Sequence, residues 1–85
     1  MEIIWQDQAW EDYLYWQLAD KKILQRINDL VKDCKRNHCK GIGKPEPLKG
    51  DFSGCWSRRI RDVHRLVYLI KENRIHIIQC RYHYN

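Results

Sequence analysis

The chain has 85 residues, a net charge of +5 and four cysteines. This length predicts one domain, residues 1–85, whose small core leaves no room for a separate cofactor-binding domain. No apolar run approaches a membrane span, and the first ten residues are too polar for a signal peptide. We therefore expect a cytoplasmic protein that binds no membrane.

The first part of the chain predicts a strand and two helices. The strand covers Glu2 to Trp5. A helix follows from about Asp7 to Leu18, with Trp10 and Tyr13 among its helically spaced apolar residues. Asp20 can cap a second helix that ends near Asn37. The apolar stripe of this second helix is Ile23, Ile27, Leu30, Val31 and Cys34.

The remainder predicts a loop and three strands. HCKGIGKPEPLKGDFSG contains all four glycines and both prolines, which indicates an ordered loop. CWSRRIRDV and HRLVYLI then predict paired strands, and RIHIIQCRYHY predicts a last strand after a turn at KEN. The expected fold class is α+β, with two N-terminal helices packed on a small, mostly antiparallel sheet.

Charge is unevenly divided along the chain. Residues 1–33 hold four cations and seven anions, whereas residues 34–85 hold twelve cations and four anions. The basic part coincides with the loop and the last strands, which favours a polyanionic partner such as nucleic acid.

The cysteines show no metal-ligand spacing. Cys34, Cys39, Cys55 and Cys80 lack a C-x-x-C pair, so we predict reduced thiols that pack as small apolar residues, with no metal and no cofactor.

Glu46 is the carboxylate best suited to act as a base. It lies between Pro45 and Pro47, which restrict the backbone on both sides, and Lys44 and Lys49 favour its ionised form. The spacing alone favours the alternative, an exposed glutamate in a turn.

Arginines cluster in SRRIRDVHR, which contains Arg58, Arg59, Arg61 and Arg65. Strand alternation places Arg59 and Arg61 on one face and Arg58 on the other. We interpret the cluster as a phosphate-binding surface, because guanidinium groups bind phosphate with two parallel hydrogen bonds. A charged sheet edge that discourages aggregation is the alternative.

These side chains suit cleavage of RNA by its own 2′-hydroxyl group. A carboxylate would remove the 2′ proton, cations would stabilise the phosphate, and a histidine would protonate the leaving oxygen. The residues alone leave the choice among the four histidines open. His83 has the most reactive surroundings, but its position also suits a frayed terminal residue.

Five blocks in order along the chain carry a family resemblance: AWEDYLYWQ, GKPEPLKG, SGCWSRRI, HRLVY and CRYHY. Together they resemble the YoeB (Txe/YoeB) toxins of the RelE superfamily, which are ribosome-dependent mRNA endonucleases of bacterial toxin–antitoxin pairs. The resemblance implies a RelE-like, microbial-ribonuclease-like fold.

The resemblance also implies residue roles, and it decides for His83 over His64. Glu46 matches the general base, His83 the general acid and Arg65 the residue that stabilises the transition state. The other matches are Lys49 and Arg59, which contact the RNA backbone, and Tyr84, which positions the substrate. The family pattern ends at this tyrosine, whereas the present chain continues to Asn85.

Partners follow from the same resemblance. They are a cognate antitoxin of the YefM/Axe type, the ribosome with its mRNA, operator DNA through the toxin–antitoxin complex, and a second copy in a homodimer. Two other functions stay open: a non-catalytic nucleic-acid or ribosome-binding module, and a gyrase inhibitor like the ParE branch of the superfamily. The glutamate of PEP and the terminal YHY argue against gyrase inhibition, which needs no acid–base pair.

Overall fold

The computed structural model describes residues 1–83, which form two helices and a five-stranded sheet. The predicted α+β fold class and the order of the predicted elements are confirmed, but a short strand, Glu46–Pro47, lies inside the predicted loop and was not expected. The helices are α1, Asp7–Ala19, and α2, Lys21–Arg36. The strands are β1 (Glu2–Trp5), β2 (Glu46–Pro47), β3 (Trp56–Arg61), β4 (His64–Lys71) and β5 (Arg74–Gln79). A 3₁₀ turn, Gly50–Phe52, lies between β2 and β3.

The sheet has the strand order β1-β5-β4-β3-β2 and is mostly antiparallel, as predicted. Only the β1–β5 pairing is parallel among the pairings within residues 1–83. The β4–β5 turn places both Glu72 and Asn73 at positive φ, the backbone that matches the twist of a two-residue hairpin.

The two helices cover one face of this sheet. The side chain of Asp20 accepts hydrogen bonds from the amides of Lys22 and Ile23, which confirms the predicted cap of α2. All five residues of the predicted apolar stripe are buried. In α1 the buried positions are Ala9, Asp12 and Trp16, whereas Leu18 is 93% exposed. The apolar spacing in α1 therefore predicted the helix but not its buried face.

Candidate active site

The face of the sheet away from the helices, here called the site face, brings three predicted residues together. Glu46 pairs with Ser57, and Arg59 pairs directly with Arg65. Cross-strand partners point to the same face, and Ser57 and Arg59 are two positions apart on β3. The register therefore places Glu46 on β2 diagonally to Arg59 on β3, with Arg65 one strand further on β4.

The pairing of Arg59 with Arg65 is unusual in electrostatic terms. Like charges directly opposite each other on adjacent strands destabilise a sheet. An anion between the two guanidinium groups would relieve this repulsion, and phosphate has the matching geometry. The Nη1 atom of Arg65 also donates to the carbonyl oxygens of Asp62 at 2.6 Å and His64 at 3.0 Å, which holds its side chain on the hairpin.

Glu46 is exposed and is carried by an ordered segment, as predicted. We call residues 37–55 the Glu46 loop. Its main chain is bonded on both sides of the glutamate: the amide of Arg59 in β3 donates to the Gly43 carbonyl at 2.6 Å, and the Leu48 amide donates at 2.9 Å to the carbonyl of Cys55, the residue before β3. These bonds present the carboxylate at the edge of the sheet. Lys49 is likewise exposed in this loop.

The interpretation of the arginine cluster is wrong for Arg58. This side chain is fully buried on the helix side of the sheet. All five guanidinium donors are used: Nε bonds Tyr68 Oη, Nη1 bonds Asp33 Oδ2 and the Ile42 carbonyl, and Nη2 bonds two further carbonyls. Those two are the carbonyls of Asn37 and Lys40.

Arg58 is thus a structural anchor for the Glu46 loop at the end of α2. Burial opposes its charge, but the hydrogen bonds to Tyr68 and Asp33 outweigh burial and raise the pKa of the guanidinium. The hydrogen bond that Arg58 donates to Asp33, together with the one from the Ile42 amide, lowers the pKa of Asp33. Arg61, predicted beside Arg59, lies 3.5 Å from Asp20 in an ion pair. Of the predicted phosphate-binding cluster, Arg59 and Arg65 are therefore the two arginines that share the site face.

The chain after β5 does not continue as a strand, contrary to prediction. We call residues 80–83 the C-terminal segment. The buried Asp12 accepts a hydrogen bond from the Cys80 amide at 3.0 Å, and Trp16 Nε1 donates to the Cys80 carbonyl at 2.9 Å. These two side chains of α1 make the hydrogen bonds to Cys80 that a neighbouring strand would make if β5 continued. Tyr82 then adopts a φ of 64°, and its carbonyl accepts from the Arg65 amide at 3.1 Å.

This turn brings the predicted general acid back towards the predicted transition-state arginine. His83 directly follows Tyr82, whose carbonyl is bonded to the Arg65 amide. His83 is exposed and lines a cavity of about 400 Å³. The other lining residues are Gln8, Asp12, Gln79, Arg81 and Tyr82. Tyr84, the predicted substrate-positioning residue, lies outside the described residues, as does Asn85.

Neither a metal cluster nor a membrane helix is found in residues 1–83. No three His, Cys, Asp or Glu side chains in this range are grouped to hold a metal ion. The four cysteines are free thiols, of which Cys34 and Cys80 are buried. Neither helix is long and apolar enough to cross a membrane.

Comparison with known proteins identifies the family. The family model described as "YoeB-like toxin of bacterial type II toxin-antitoxin system" matches residues 5–84. The chain belongs to this family. It is 54% identical to toxin YoeB of Escherichia coli K12 over 84 residues, which cover 99% of this chain and 100% of that protein.

Solved structures agree with this assignment. The YoeB/ParE toxin from Agrobacterium tumefaciens superimposes with a TM-score of 0.96 at 48% identity, covering 99% of this chain and 100% of that one. YoeB from Staphylococcus aureus has been solved as a dimer, with a TM-score of 0.91, and in a heterotetrameric complex with YefM, with a TM-score of 0.90. Both are 49% identical over 99% of this chain and 98% of theirs.

In this YoeB-like toxin, sequence reasoning missed a role for His64. Its Nδ1 atom accepts a hydrogen bond from the Tyr82 amide at 2.7 Å, and its ring packs edge-on against Trp16. Sequence reasoning also missed Arg81, whose guanidinium carbon lies 3.4 Å from the ring centroid of Tyr15. These contacts join residues distant along the chain, so no local sequence pattern could have revealed them.

Proposed function

We propose that this toxin is an mRNA endoribonuclease that acts on the ribosome and cleaves RNA by metal-independent acid–base catalysis. The observation that carries the proposal is the shared sheet face of Glu46, Arg59 and Arg65. The C-terminal segment returns to the same hairpin through the Tyr82–Arg65 bond. In this proposal a base, two cations and an acid act on a phosphodiester bound across this hairpin.

Each side chain has one step in this reaction. Glu46 takes the proton of the 2′-hydroxyl, and the 2′-oxygen attacks the adjacent phosphorus. The P–O5′ bond breaks as His83 gives a proton to the leaving 5′-oxygen. The products are a 2′,3′-cyclic phosphate and a 5′-hydroxyl end. Each positioned acid or base contributes about 10²–10⁴-fold.

The cations neutralise the charge that develops on the phosphate. Arg65 is held by the hairpin carbonyls and stabilises the pentavalent phosphorus, while Arg59 and Lys49 bind the flanking backbone. Tyr84 is proposed to position the substrate near the scissile bond. Because the nucleophile belongs to the RNA, the protein supplies only proton transfer and charge stabilisation.

The proposed partners are an acidic antitoxin segment of the YefM type, the ribosome with its mRNA, and a second copy of the chain. The YefM complex and the dimer of the S. aureus relative support the first and the third. The basic half of the chain supports contact with ribosomal RNA. We further propose a cytoplasmic location and indirect contact with operator DNA through the antitoxin complex.

The test is cleavage of a translated message by purified protein and ribosomes, with 5′ ends mapped by primer extension. We expect Glu46→Gln and His83→Ala each to slow cleavage by about 10²–10⁴-fold. Thermal unfolding should be unchanged, because both side chains are exposed. Arg59→Ala should weaken cleavage, while Arg61→Ala, an exposed arginine on the same strand, is the matched control.

Two outcomes would contradict the proposal. If the wild type and both variants, induced in bacteria without antitoxin, arrest growth equally without cuts in mRNA, the protein is a binding module. If chelation abolishes cleavage while polyamines keep the ribosomes intact, the reaction depends on a metal.

A further inference from the structure

His64 lies where three parts of the molecule meet. It is the first residue of β4, its ring centroid is 4.8 Å from that of Trp16 in α1, and it contacts Tyr82 in the C-terminal segment. Its Nδ1 atom accepts the Tyr82 amide hydrogen at 2.7 Å. An imidazole nitrogen can accept only when it carries no proton, so this contact requires neutral His64 with the proton on Nε2.

The neighbouring residue completes the attachment. The Arg65 amide donates to the Tyr82 carbonyl at 3.1 Å. Two adjacent residues of β4 therefore hold both backbone polar groups of Tyr82, His64 through its side chain and Arg65 through its amide. Tyr82 stands at a φ of 64°, a conformation that a non-glycine residue keeps only when its surroundings hold it there.

We propose that neutral His64 is a positioning residue, which holds the C-terminal segment so that His83 faces the scissile phosphate, and that protonation of His64 releases this segment. The inference rests on the proposed function for its catalytic consequence. The attachment itself is a property of the free protein. His64 touches no substrate in this scheme and acts through Tyr82.

The surroundings of His64 favour its neutral form. Burial against α1 lowers the pKa of the imidazole most, and Arg81 and Arg65 lower it further. Asp62 in the hairpin and Asp12 on α1 act in the opposite direction but do not outweigh the other contributions. The attachment is therefore complete at neutral pH and weakens as the pH falls below the ordinary histidine range, about 6.5.

Two substitutions separate the hydrogen bond from the packing. His64→Asn places an oxygen where Nδ1 now lies, so it can accept the Tyr82 amide but cannot titrate. His64→Gln extends the amide to the position of Nε2 and leaves no acceptor at Nδ1. The two side chains are otherwise chemically alike, which makes them a matched pair.

The first arm of the test uses free protein. Amide hydrogen exchange at Tyr82 is measured between pH 5.5 and 7.5 and compared with the Arg59 amide, whose acceptor is the Gly43 carbonyl. In the wild type, protection of Tyr82 relative to Arg59 should fall with decreasing pH. It should be independent of pH in the Asn variant and low throughout in the Gln variant. Equal protection in the wild type and the Gln variant overturns the proposal.

The second arm uses single-turnover cleavage on ribosomes. We expect the Gln variant to lose about tenfold in the single-turnover rate constant at saturation, with little change in the half-saturating concentration, the effect of one hydrogen bond on the position of the acid. The Asn variant should retain most of the rate and should lose less activity than the wild type between pH 6.5 and 5.5. Equal rates and equal pH profiles for the two variants overturn the inference.

The two arms also distinguish the two proposals. If the wild type makes no cuts, the proposed endoribonuclease activity fails, and the exchange arm alone decides whether His64 holds the segment. If the wild type cuts but Tyr82 protection does not depend on His64, the attachment fails while the activity stands. Thermal unfolding of both variants shows that any loss does not come from a misfolded domain.

Discussion

Two irregular segments carry the proposed acid and base, and they are attached by different chemistry. The Glu46 loop is bound by Arg58, a buried guanidinium that uses all five donors on the loop and its surroundings. The C-terminal segment is bound at Tyr82 by one imidazole nitrogen and one backbone amide. A guanidinium stays charged at every relevant pH, whereas an imidazole does not. The comparison teaches that the attachment of the Glu46 loop does not depend on pH, whereas the proposed attachment of the C-terminal segment does.

The largest expected effect comes from removing the buried anchor. Arg58→Met leaves Asp33, Tyr68 and several loop carbonyls without their donor. We expect a loss of about 3–5 kcal/mol in the free energy of unfolding. The melting temperature should then fall by at least ~12 °C for a domain of this size.

Arg61→Met is the matched control for this substitution, because Arg61 is an exposed arginine on the same strand. Its ion pair with Asp20 is expected to contribute less than about 1 kcal/mol. Similar melting temperatures for the two variants would show that Arg58 does not anchor the loop.

The next effect concerns the glycine packed against this anchor. A Cβ atom on Gly41 would lie 1.9 Å from Asp33 Oδ2, and the φ of 124° already disfavours a side chain. Gly41→Ala must therefore displace Asp33 from Arg58, and we expect a cost of about 2–4 kcal/mol by chemical denaturation. Gly54, at a φ of 94°, has no atom within 4 Å of such a Cβ. Gly54→Ala should cost only about 1–2 kcal/mol, and equal costs would contradict this account.

A smaller effect should appear in acid. The pKa of Asp33 is lowered in the folded protein by the hydrogen bonds from Arg58 and Ile42. Ionised Asp33 thus stabilises the folded state fully above the pKa of aspartate in the unfolded chain, about 3.9. This stabilisation is lost as the pH falls through the lower pKa of the folded protein. Denaturation between pH 5 and 2.5 should show a steeper loss for the wild type than for Asp33→Asn. Parallel curves would show that Asp33 does not contribute to acid sensitivity.

The smallest effect is expected at the C-terminal segment. Nε of Arg81 is buried and has no hydrogen-bond acceptor among residues 1–83, and its guanidinium lies over the ring faces of Tyr15 and Tyr82. Tyr15→Leu removes one of these faces and should lower the free energy of unfolding by about 0.5–1 kcal/mol. Tyr15→Phe keeps the ring and is the control. If Tyr15→Leu lowered the free energy of unfolding as much as Arg58→Met does, the two segments would not differ in how strongly they are attached.

Local patterns accounted for the scaffold. The apolar period of α2, the cap at Asp20 and the glycines and prolines of the Glu46 loop are short-range signals, and the structure confirms them. They succeed because backbone preference and side-chain direction depend on neighbouring residues. The end of β5 was predicted wrongly, since Asp12 and Trp16, far away along the chain, capture Cys80 and end the strand.

The arginines show most clearly what the sequence determines and what only the tertiary structure decides. By itself the sequence determined the family, the order of elements and the alternation that separates Arg58 from Arg59. Only the tertiary structure decided that Arg58 meets Asp33 and the end of α2, whereas Arg59 faces Arg65 on the site face. A buried charge is stable only where long-range folding supplies enough acceptors. The same reason hides the role of His64, because its partner Tyr82 becomes a neighbour only after the sheet has formed.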